Sequence, residues 1–148
     1  MVRLVKGAKL TYGWVVVSSG REIPIPPDAW EAYGFQPGVE AVFLRGSKTS
    51  GGFSISTPAL MKAARVRSGG VRLAEIACGQ FGDMQVRLPL EVGFTSGDRL
   101  LTVHGSCNGL GFVARGRIYG EALRHPEVSV YQLDAGEPAA EEAAAEAV

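Results

Sequence analysis

The chain of 148 residues is poor in cysteine and histidine and has no long apolar run. Two cysteines, Cys78 and Cys107, are too few for a disulfide framework, so a reducing cytoplasm is the expected compartment. No apolar stretch approaches the ~20 residues that span a bilayer, and no membrane partner is expected. The opening "MVRLVKGAKL" lacks the apolar centre of a secretion signal. His104, Cys78 and Cys107 show none of the close Cys-x-x-Cys or His-x-x-x-His spacing that closed zinc sites use, so no metal and no other cofactor is expected. Cys78 reads as a core thiol on a strand and Cys107 as a loop residue. The glycine-rich "GSKTSGG" and "GSCNGLG" lack the P-loop pattern and sit between strands, which makes them hairpin tips. No nucleophile elbow or repeated acid–base pair is present, and the chain reads as a non-enzyme with no catalytic residue.

What is present is an ordinary globular composition, 46% apolar and 20% charged, that can bury a core. The net charge of zero hides an asymmetry. Residues 134–148, "DAGEPAAEEAAAEAV", hold five acids and no base, so residues 1–133 carry 15 bases against 10 acids, a net +5. An Ala/Glu tail without aromatics cannot offset its ordering entropy, and it is expected to be a disordered, solvated extension. A moderately basic body is compatible with nucleic acid.

The sequence also repeats itself. A shift of 59 residues superposes Gly34 on Gly93, Phe35 on Phe94, Gly38 on Gly97, Gly46-Ser47 on Gly105-Ser106, and Gly52-Phe53 on Gly111-Phe112. Ala63 and Arg65 fall on Ala122 and Arg124. Upstream, "IPIP" at 23–26 answers "VRLP" at 86–89 if four residues are dropped, because "PPDAWEAYGF" shrinks to "PLEVGF".

Each copy reads as the same series of elements. In the first, "KLTYGWVVV" (9–17) and "REIPI" are strands, with Pro24 and Pro26 forcing an edge or break in the second. "PPDAWEAYG" has Pro at its start, Asp28 in its first turn and Gly34 as its stop, the signals of a short helix. "VEAVFLRG" and "FSIST" form a hairpin, and Thr57 caps the helix "PALMKAARV". The second copy runs "VRLAEIACG", "MQVRLPL", a turn in place of the helix, "DRLLTVHG", "LGFVARG" and the helix "RIYGEALRH". A last strand, "VSVYQL" (128–133), follows Pro126 and is apolar and alternating enough to pair across a homo-oligomer interface. Trp14, Trp30, Tyr33 and Phe35 read as core and helix-packing residues.

The stretch "GREIPIPPDAWEAYGFQPGVEAVFLRG" resembles the AbrB/SpoVT family, with its GR, IP-containing strand, short helix ending in Gly, PG turn and strand. Two such units in one polypeptide resemble the MraZ proteins. The likeness covers residues 10–57 better than 71–116. It implies a mainly β fold with short helices, in which duplicated ββαββ units form a double-psi or swapped-hairpin pseudo-twofold β-barrel. On that view residues 1–133 are one barrel domain, built from repeats at about 10–66 and 71–125 plus the strand 128–133. Closure of the sheet would also remove the open edges of a single unit.

The resemblance further implies a transcriptional regulator that binds double-stranded DNA. Arg21 matches the family's GR arginine; Lys6 and Lys9 precede the first strand, and Arg87 sits in the matching strand of copy two. Those four are the expected DNA-binding residues. Against this stand Asp28 and Glu31 on the short helix, which repel phosphate, and the loss of helix and GR from copy two, where Asp83 and Met84 stand. Arg21 has a structural alternative as a turn arginine that pairs with a carboxylate or caps carbonyls. Lys62, Arg65, Arg67 and Arg72, with Arg115, Arg117 and Arg124 in copy two, offer a second basic surface. The rival function is a non-enzymatic scaffold, oligomerisation or ligand-binding barrel that has lost the DNA surface.

Overall fold

A computed structural model describes residues 10–46, 48–67, 75–105 and 109–133, without the side chains of residues 65–67. Lys6, Lys9, Arg72, Cys107 and the acidic tail lie outside the described residues. The chain is mainly β with three short helices, arranged as a mixed seven-stranded sheet and a separate two-stranded ribbon. The strands in chain order are β1 (Thr11–Val16), β2 (Glu22–Pro24), β3 (Glu40–Arg45), β4 (Phe53–Ser56), β5 (Glu75–Gln80), β6 (Gln85–Arg87), β7 (Arg99–His104), β8 (Leu110–Val113) and β9 (Val130–Tyr131). The helices are α1 (Pro27–Tyr33), α2 (Pro58–Arg67) and α3 (Arg117–Ala122); a 3-10 turn at Leu90–Val92 replaces the helix in copy two.

Local signals explain the elements. Pro27 opens α1 with a preset φ, and Gly34 closes it in the left-handed conformation that a Cβ disfavours. The Thr57 hydroxyl accepts from Leu60 N at 3.2 Å, the cap that starts α2.

The two halves pair crosswise. The main sheet runs β5-β3-β4-β8-β7-β1-β9, so the first strand of each half lies beside the third strand of the other. β1 pairs with β7, β5 with β3, β4 with β8, and β2 with β6, all antiparallel. The register irregularity between Thr11 and Gly13 in β1–β7 recurs in β3–β5, where Ile76 is the residue skipped. Arg21 and Met84 both adopt positive φ (61° and 56°) at the turns into β2 and β6. Leu88 N donates to Arg21 O and Ile25 N to Met84 O, each at 2.8 Å, so the two turns make matching contacts.

The 59-residue register does not survive the hairpins unchanged. Arg45 faces Phe53 across seven loop residues, whereas His104 faces Leu110 across five. Two fewer loop residues shift the following strand, so Ile55, not Phe53, occupies in its hairpin the place that Phe112 takes in the other. Ser54 and Gly111 face one another at the centre of the β4–β8 pair.

The expected closed barrel is corrected by this arrangement. The seven-stranded sheet stays open, with β5 and β9 as its edges. β2 and β6 are three residues each and lie next to Pro24, Pro26 and Pro89, which have no N–H to extend a ladder, so they pair with each other as a ribbon. The ribbon covers one face of the sheet: Ile23, Ile25, Val86 and Leu88 share a core with Phe43, Phe53, Ile55, Leu100 and Phe112. On the other face α3 packs against Trp14, Leu101 and Val103, and Met61 of α2 against Val42 and Leu44. The last strand is shorter than its expected span and pairs in parallel with β1 of the same chain.

Candidate functional site

Arg21 is where the expected DNA edge and the structural alternative meet. Its guanidinium turns toward copy two: Nη1 donates to Phe94 O, while Nη2 donates to Pro89 O at 2.9 Å and lies 3.3 and 3.4 Å from Leu88 O and Gly93 O. The corresponding segment of copy one is a helix, whose carbonyls already have partners: Pro26 O accepts from Trp30 N, Trp30 O from Phe35 N and Glu31 O from Gly34 N. In copy two a 3-10 turn stands in its place, where Val92 N donates to Pro89 O and Gly93 N to Leu90 O, each at 3.1 Å. The arginine supplies donors to the carbonyls of the shortened loop, and a charged fork is well suited to several acceptors at once. An arginine at φ 61° costs of order 1 kcal/mol in backbone strain. Charge-assisted bonds of this kind, about 1.5–3 kcal/mol each, offset it.

The other expected DNA residues divide. Arg87 faces Glu22 across the ribbon and its guanidinium lies 3.7 Å from that carboxylate, with 71% of the side chain exposed. Lys6 and Lys9 lie outside the described residues. Asp28 and Glu31 are exposed on α1. Trp14, read as core, is buried against Tyr119, with the Arg99 guanidinium 4.7 Å from its ring centre.

A second cluster joins α1 to the β7–β8 hairpin. The Tyr33 hydroxyl donates to Gly109 O and accepts from Gly105 N, at 3.1 and 3.2 Å. His104 Nδ1 lies 3.1 Å from Tyr33 Oη and 3.2 Å from Tyr12 Oη. Burial raises the Tyr33 phenol above its ordinary value, and the neighbouring Tyr12 adds to that. Tyr12 is raised mainly by burial as well. Cys78 lies in β5 as expected but is exposed and not a core thiol, because β5 is an edge strand with no neighbour on its outer side among the described residues.

The third feature was not legible as a site in the sequence. A cavity of about 420 Å³ opens over the β4–β8 pair, beside α3 and between the two hairpin tips. Its floor includes Ser54 and Gly111, which have too little side chain to fill the space. Arg45, Arg115 and Arg117 stand around it, and no carboxylate is among the described lining residues. Arg115 is held in place: Nη2 donates to Lys48 O at 2.7 Å, and a Cβ on Gly51 would come within 2.7 Å of Nη1. The hairpin loop is tied to the same place by Ala114 N and Arg115 N, which both donate to Ser50 O. Close packing also fixes Gly52, where a Cβ would lie 1.7 Å from Phe112 O.

Arg124 pairs with Glu121 at 3.4 Å, Lys62 is exposed on α2, and the side chains of Arg65 and Arg67 lie outside the described residues. No helix among the described residues is long and apolar enough to cross a membrane. Comparison with known proteins finds no matching family model, no matching curated protein and no matching solved structure.

Proposed function

We propose that this chain is a non-enzymatic ligand-binding domain on a duplicated, swapped-hairpin scaffold of the AbrB/SpoVT kind, in which the GR edge serves the fold and not DNA. One observation carries the reading: the Arg21 guanidinium is engaged by the carbonyls of residues 88–94. With Nη1 and Nη2 both turned to these carbonyls, the guanidinium cannot swing out to a phosphate without giving up the loop it holds. The crosswise pairing of the halves supports the swapped-hairpin relationship, and the open sheet marks a departure from a closed barrel.

The test is a salt titration of binding to random duplex DNA, wild type beside Arg21→Ala and Arg87→Ala. The reading expects no duplex binding above background at low salt. A steep salt slope that becomes shallower in either variant contradicts it.

A DNA-binding regulator is the second reading, favoured by the exposure of Arg87 on the ribbon. Its mark is loss of duplex affinity in Arg87→Glu with the fold intact.

A further inference from the structure

We infer that the cavity over the β4–β8 pair binds a small organic phosphate, an inference that rests on the ligand-binding reading above. The strand pattern makes the space. Phe53, Ile55, Leu110 and Phe112 are buried in the core between sheet and ribbon, so the alternate positions Ser54 and Gly111 face outward. A large apolar residue at position 54 would fill the gap beside α3, and at Gly111 even a Cβ would come within 2.8 Å of Val103 Cγ2. Ser54 and Gly111 leave it open, at a volume within the range of small-molecule sites.

The chemistry of the walls selects the ligand. Arg45 ends β3, Arg115 follows β8 and Arg117 begins α3, so crosswise pairing brings three guanidiniums from two distant parts of the chain to one opening. All three are exposed, and none has a salt bridge among the described residues. Like charges gathered without a counter-charge repel one another, and an anion relieves that repulsion. Planar guanidinium forks bind carboxylate and phosphate oxygens in pairs, and a phosphate, with more oxygens than a carboxylate, can engage more than one fork at once. The hydroxyl of Ser50 and backbone at Gly46 and Gly105 add polar lining at the tips. Part of the wall is apolar, formed by Val103, Val113 and Ile118. A bare inorganic anion would leave that wall wet, whereas a phosphate carrying a compact organic group would cover it.

The experiment uses the full chain, isothermal titration calorimetry and amide chemical-shift mapping, with adenosine 5′-monophosphate as probe and adenosine as its uncharged control. The expected result is single-site binding of the monophosphate that raises the melting temperature with concentration. Affinity falls about tenfold or more in Arg45→Gln and in Arg117→Gln, and is unchanged in Arg124→Gln, which removes one charge away from the cavity. Perturbed amides lie at 45–54 and 111–118. Circular dichroism and the melting temperature of the unliganded variants establish that they fold. Four outcomes overturn the inference: no heat and no shift with the monophosphate, equal affinity for adenosine, equal loss in Arg124→Gln, or displacement of the monophosphate by duplex DNA through the same amides. A failure to bind the monophosphate overturns this inference and leaves the duplex titration to judge Arg21 independently, while a steep duplex slope overturns the earlier reading instead.

Discussion

Phe53 and Phe112 lie opposite each other in the β4–β8 pair, with rings stacked 4.8 Å apart at 12° and both side chains buried. They join the halves of the chain at the centre of the sheet. Truncation of either to Ala is expected to cost about 3–5 kcal/mol, because a buried ring leaves a cavity that this junction cannot close. The double variant should cost less than the sum of the two, since each ring is part of the other's packing. Urea denaturation of the four proteins measures both effects.

The Tyr33 phenol makes the α1–hairpin contact sensitive to alkali. Its folded value is raised above the ordinary 10.0, mainly by burial, so the stability it contributes is complete below pH 10 and is lost as pH rises through the folded value. Melting temperatures taken upward from pH 9 should fall more steeply in wild type than in Tyr33→Phe, which has no proton to lose. Parallel curves would mean that the hydroxyl stays ionisable in the folded state as in water.

His125 supplies a second pH dependence, at the end of α3. It lies 2.9 Å from Glu127 and 3.0 Å from Glu121, and these carboxylates raise its ordinary 6.5, with Glu127 the larger cause. In turn His125 lowers Glu127 below 4.5. The His125 contribution is present below pH 6.5 and lost as pH rises through its raised value; that of Glu127 is present above pH 4.5 and lost as pH falls through its lowered one. The melting-temperature gap between wild type and His125→Gln should therefore be widest between those limits and narrow as pH rises through the raised His125 value. Because the cluster is exposed, the gap should also shrink with added salt.

Cys78 is exposed yet should react slowly. A hydrogen bond with Glu40 is the main cause of its raised thiol value, which lowers the thiolate fraction at neutral pH. In a Cys107→Ser background, iodoacetamide should label Cys78 more slowly than an unstructured thiol, and Glu40→Gln should speed it. Equal rates in the two proteins would remove Glu40 as the cause.

These sites differ in how far sequence alone exposed them. Pro27, Gly34 and Thr57 act locally, so α1 and the cap of α2 were readable from neighbouring residues. The repeat was readable through its glycines and phenylalanines, but the two-residue slip after the hairpins was not, because loop length and not residue identity sets it. Cys78 was expected in the core, and only the strand order shows that β5 is an edge. The cavity was the least legible: Gly111 was read only as a repeat position and Arg117 only as part of a basic surface, and they meet Arg45 and Ser54 only through crosswise pairing. The role of Arg21 depended on what copy two had lost. Where a short turn replaces a helix, its carbonyls take donors from a distant arginine, a pairing that no local pattern records.

The unfolding free energy of Arg21→Lys tests that role most directly. Lysine keeps the positive charge that long-range attraction to DNA requires, but it has no planar fork to hold several carbonyls. Urea denaturation should show Arg21→Lys about 2 kcal/mol less stable than wild type, a loss on the scale of charged hydrogen bonds given up. Stability equal to wild type would contradict the account and return Arg21 to the DNA edge.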